Sequence, residues 1–126
     1  QCLSQFYVDS VAALYDWLAG NASSMVSAKT LYSKEDLAAP YDILYRATAF
    51  ALKGGIAPNS ERSIGFEALV NTLTRCSSAL GLIALNRRCM EYKAHALSDH
   101  NLNPQLTLEA FLMASFQSDR DLLVEP

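Results

Sequence analysis

Both histidines of the chain, two adjacent arginines, a cysteine and two acids fall within sixteen residues, Leu85 to His100, LNRRCMEYKAHALSDH. Glu91, His95 and Asp99 are spaced i, i+4, i+8, so a continuous helix would carry two carboxylates and an imidazole on one face, with His100 close behind. Such donors suit a divalent ion. Distance argues against one ion shared by all three. Eight residues of helix rise about 12 Å, whereas ligand atoms stand only about 2 Å from a metal. His95 with either acid would be a half-site needing ligands from elsewhere, and no H-E-x-x-H accompanies it.

One step upstream the same row begins at Arg87. Arg87, Glu91, His95 and Asp99 then alternate in sign at four-residue steps, a charge ladder on a solvated helix face. Each favourable rung is worth about 0.2–0.5 kcal/mol. Leu85, Cys89, Tyr92 and Ala96 supply the buried stripe of that helix, with Cys89 read as core alongside Cys76. The ladder accounts for more of these residues than a metal site does. It leaves the Arg87-Arg88 pair as a candidate contact for an acidic partner.

Other chemistries lack their signatures. Cys89 and His95 are six apart and point to different sides of one helix. The serines lie in no G-x-S-x-G. The loop GGIAPNSERS, residues 54–63, carries neither phosphate-binding glycine pattern. No catalytic, cofactor-binding or metal-binding residue is assigned, and no cofactor is implied. Trp17 lies off the main apolar stripe of its helix, so it joins Arg87 and Arg88 as a candidate partner-binding residue.

The elements that must position these residues are all helical. A first helix is expected from about Gln5 to Ala19, with Ser4 as cap, Leu3 and Val8 as a staple, and Gly20-Asn21 as the stop. Met25 to Tyr32 suggests a short or irregular helix, and Ser33 to Asp36 a turn. Pro40 opens a strong helix through Lys53, in which Tyr41, Leu44, Tyr45, Thr48 and Leu52 share a face. From Glu61 to Leu97 one stripe runs Phe66, Leu69, Val70, Leu73, Cys76, Leu80 and Ile83; a second runs Leu82, Leu85, Cys89, Tyr92 and Ala96. That change of phase predicts either one long helix or a break between Gly81 and Asn86, with Asn86 as cap. A last helix is expected from Asn103-Pro104 to about Phe116, burying Leu106, Ala110, Phe111 and Ala114, followed by a charged tail with an apolar LLV. Period-two alternation is absent.

At 126 residues the chain is expected to form a single domain. It is 51% apolar and 18% charged, which excludes a disordered tail. A net charge of −3 makes nucleic-acid binding an unexpected role, since phosphate recognition normally calls for a basic patch. No apolar run reaches bilayer length. Three cysteines without paired spacing suggest a reduced, intracellular chain, and the Asn21-Ala22-Ser23 sequon is explained by the helix stop. Ends that begin QCLS and stop at VEP suggest a fragment of a longer chain. The expectation is an all-α domain of five to six helices, in a compact bundle or a short stack of helical hairpins. Its expected role is non-enzymatic: protein–protein interaction or self-association in a larger protein. The alternatives are a small-ligand or metal-dependent enzyme using residues 87–100, and a helical RNA-binding domain of nucleoprotein type.

Overall fold

The computed structural model describes residues 5–54 and 65–124, with side chains through Ser115. Cys2, the Ser4 cap with its Leu3 staple, the 54–63 loop after Gly54 and the side chains of the LLV tail lie outside those limits. Six helices form the described residues: α1 (Gln5–Leu18), α2 (Ser24–Leu31), α3 (Ala39–Leu52), α4 (Phe66–Cys76), α5 (Ala79–Ala96) and α6 (Pro104–Val124). Among these residues there is no strand, and no helix is long and apolar enough to cross a membrane.

Local chemistry places most of the boundaries. Gly20 takes φ 85° after α1. Asn21 N–H then bonds Asp16 O at 2.8 Å and Gly20 N–H bonds Trp17 O at 3.1 Å, the paired return bonds of a Schellman stop. Ser23 caps α2 by accepting the Val26 N–H at 3.2 Å, and the Ser-rich stretch forms a regular eight-residue helix. Pro40 sits in the first turn of α3 and Gly54 follows it at φ 114°. Asn103 caps α6 by accepting the Leu106 N–H at 3.1 Å.

The boundary between α4 and α5 departs from the sequence expectation. It falls at Ser77-Ser78, both extended, rather than between Gly81 and Asn86. Ser78 Oγ accepts the Gly81 N–H at 3.0 Å and caps α5. The apolar stripe from Phe66 to Ile83 therefore belongs to two helices. Phe66, Leu69, Val70 and Leu73 are buried on α4, but Cys76, Leu80 and Ile83 are exposed.

Helix α3 runs through the middle of the bundle, packed most extensively on α5 and touching α1 and α4. Helix α6 closes the other side against α5 and α2. Tyr41, Ile43, Leu44 and Ala47 of α3 fill the centre with Leu14, Phe66, Leu69, Leu73 and Phe111. Tyr45 and Leu52, expected on the buried face of α3, are each 40% exposed. In α6 the expected phase is also corrected. Leu108, Phe111 and Leu112 are buried, whereas Leu106 and Ala110 face outward. The ring of Phe111 meets the edge of Tyr41 at 5.0 Å and lies 5.5 Å from Tyr92, locking α6 to α3 and α5.

Candidate functional site

Helix α5 carries the residues singled out in the sequence, and its neighbours decide which of them face outward. The core face is the predicted stripe: Leu82, Leu85, Cys89 and Ala96 are buried and Tyr92 packs against them. Two polar ties fix the helix antiparallel to α3. Asn86 Nδ2 donates to Thr48 Oγ1 at 2.8 Å and to Tyr45 O at 3.1 Å, so Asn86 serves as an interhelical clamp and caps nothing. Seven residues on, Lys93 Nζ forms an ion pair with Asp42 at 2.8 Å.

The two arginines separate. Arg88 is half-buried and donates through Nη1 to Ser115 Oγ of α6 at 3.4 Å. Arg87, a helix step of about 100° away, is exposed on the far side from the core. Trp17 lies inside the bundle, only 4% exposed, with its Nε1–H donated to Ser24 Oγ at 3.3 Å. It ties α1 to α2 and, with Gly20 and Asn21, lines a hollow of about 300 Å³.

The chemical reading of residues 87–100 loses its geometry at the helix end. Helix α5 stops at Ala96, so Asp99 leaves the row that Arg87, Glu91 and His95 share. No ion pair joins members of that row among the described residues. His95 and His100 are exposed, and Asn101 Nδ2 bonds His95 O at 3.0 Å and Thr107 Oγ1 at 2.8 Å, turning the chain into α6. Among the described residues no three His, Cys, Asp or Glu side chains converge on a point that could hold a metal ion. The Cys89 thiol is buried, and burial pushes its pKa up to about 12, the reverse of what a nucleophile needs.

No family model, curated protein or solved structure matches the chain.

One feature of the surface escaped the sequence reading. Leu80, Ile83, Met90 and Leu97 are 71%, 41%, 53% and 50% exposed, on the side of α5 opposite its core stripe. Arg87 and Ala94 are exposed at the intervening positions. Helix α5 is thus apolar on two opposed faces, and only one of them is used by the bundle. In the sequence Leu80 and Ile83 continue the stripe that begins at Phe66, and the break at Ser77-Ser78 assigns them to the outer face of α5. A polar feature with no mark in the sequence pattern lies elsewhere: Arg46 of α3 lies over the rings of Phe66 at 5.2 Å and Tyr7 at 5.7 Å and donates to the Tyr7 hydroxyl. It joins α1, α3 and α4 from inside and is structural.

Proposed function

We propose that this chain is a non-enzymatic α-helical module that works through protein–protein contact, with the outer face of α5 as its contact surface. The observation that carries this reading is the exposed apolar row on α5, with Arg87 at its middle. Contiguous exposed apolar surface on a small domain marks an interaction site more often than chance placement does. Arginine beside apolar anchors is the composition favoured where partners meet. Of the three residues first suggested for binding, Arg87 keeps that role; Arg88 and Trp17 act within the fold. An exposed Cys76 thiol suits a reducing, intracellular setting.

A photo-crosslinking residue at Met90, compared with one at the exposed Lys29 of α2, tests the reading in extract from cells that make the protein. A discrete protein adduct formed from position 90 and not from position 29 is expected. Equal labelling at both positions, or none at 90, would sink it.

A further inference from the structure

We infer that the partner of the α5 outer face is a second copy of this chain, packed antiparallel, α5 against α5. The inference rests on the module reading above and names its partner. Leu80, Ile83, Arg87, Met90, Ala94 and Leu97 follow one another in steps of 3, 4, 3, 4 and 3 residues. That alternation is the spacing with which one helix meets another helix, side chains of each fitting between those of its partner. All six positions are exposed. Leu97 caps the helix in helical backbone geometry, so the row stays straight to its end.

The row is also complementary to itself. Reversed against a second copy, Leu80 faces Leu97, Ile83 faces Ala94, and Arg87 faces Met90. The same three pairs recur on the other side of the axis, as a two-fold contact requires. A parallel pairing would instead set Arg87 against Arg87. In the antiparallel register, Glu91 of one copy stands one residue, about 1.5 Å of helix rise, from the level of Arg87 of the other. Glu91 is exposed and flanks the row on the side toward which Arg87 leans, so two symmetric ion pairs border the axis. Within its own chain Arg87 has no ion pair among the described residues, and neither has Glu91. The row is about 25 Å long. One helix face is small among protein interfaces, so the dimer forms in a concentration-dependent way.

The test uses sedimentation equilibrium on the 126-residue chain in reducing buffer, with circular dichroism to verify that each exposed-site variant stays folded. The wild-type chain is expected to pass from monomer to dimer as concentration rises. Arg87→Glu alone, or Glu91→Arg alone, places like charges together and weakens the dimer at least roughly tenfold. An equimolar mixture of the two variants is expected to recover dimer, because each chain then supplies the charge the other lacks. That recovery in trans also separates this contact from pairing between Arg87 and Glu91 of one helix. A wild-type chain that stays monomeric to its solubility limit overturns the inference, as do single variants that dimerise undiminished or a mixture that fails to recover. An adduct from Met90 to a different protein, with a monomeric chain, would overturn the dimer and leave the module reading standing.

Discussion

The side-chain amide of Asn86 donates to the Thr48 hydroxyl at 2.8 Å, and this contact joins the two most extensively packed helices of the bundle. Thr48 is fully buried in α3, and its hydroxyl lies 2.8 Å from Leu44 O and 2.9 Å from Tyr45 O. With its one proton donated back along the helix, it has a lone pair free to accept from Asn86. The amide also reaches Tyr45 O at 3.1 Å. Asn86 is therefore held between a side chain and the backbone of α3, which fixes the register of α5 and so the direction of its outer face.

Asn86→Ala is expected to destabilise the chain by about 1–2 kcal/mol, and Thr48→Val by about 1 kcal/mol. The double variant should cost less than the sum, because each single change removes the same bond. Urea denaturation of the four proteins gives the coupling directly. Full additivity would mean that the two groups do not interact in solution.

Arg46 is half-buried, and its guanidinium lies against two aromatic faces. Its guanidinium lies 5.2 Å from the centre of Phe66 and 5.7 Å from that of Tyr7. Arg46→Lys keeps the charge but loses the planar group that stacks and forks. It should lower the unfolding free energy by about 1 kcal/mol, with Arg46→Ala lower still. A lysine variant as stable as the parent, by thermal and urea unfolding, would show that charge alone suffices there.

Tyr41 presents the opposite case. Its ring is an essential part of the core, 1% exposed and edge-on to Phe111, but its hydroxyl is buried with no hydrogen-bond partner among the described residues. An unpaired buried hydroxyl costs about 1–3 kcal/mol, of which a small void on its removal returns part. Tyr41→Phe is therefore expected to stabilise the chain by about 1 kcal/mol. Loss of stability on that substitution would reveal a partner for the hydroxyl in solution.

How far these relationships could be read from sequence depends on the kind of signal each one leaves. Helix stops written in backbone chemistry were legible: Gly20-Asn21 ends α1, and Pro40 and Lys53-Gly54 bracket α3. The all-helical class followed from periodicity. Facing direction was harder, because periodicity shows that an apolar stripe exists and not whether the protein's own core covers it. In α6, Leu106 and Met113 face out while Leu108, Phe111 and Leu112 face in, and one sequence carries both sets. The same ambiguity hid the outer face of α5, where Leu80 and Ile83 continue the α4 stripe in register across a break made by Ser78. The interhelical contacts of Arg46 and Asn86 leave no local pattern, since their partners lie 39 and 38 residues away, and Asn86 reads locally as a helix cap.

Cys89 links the packing of α5 to a pH dependence whose sign can be worked out. Burial is the main cause that raises its thiol from an ordinary 9.0 to about 12; Arg88 opposes the rise and Asp42 adds to it. Between those values the unfolded chain has lost the proton and the folded chain keeps it. The unfolded state then binds fewer protons, so stability falls as pH rises. Below pH 8 the thiol is protonated in both states and contributes no slope. From pH 8 to pH 10 the loss through this one group comes to about 1.4 kcal/mol. Tyr41, also raised by burial, adds a loss of the same sign above its ordinary 10.0. Cys89→Ala removes the thiol, and although it is less stable at pH 7 through lost packing, its stability should decline less steeply from pH 8 to pH 10. Urea midpoints at pH 8, 9 and 10 for the two proteins decide the matter: parallel lines would mean that water reaches Cys89 in the folded state, and that the inner face of α5 is looser than its packing implies.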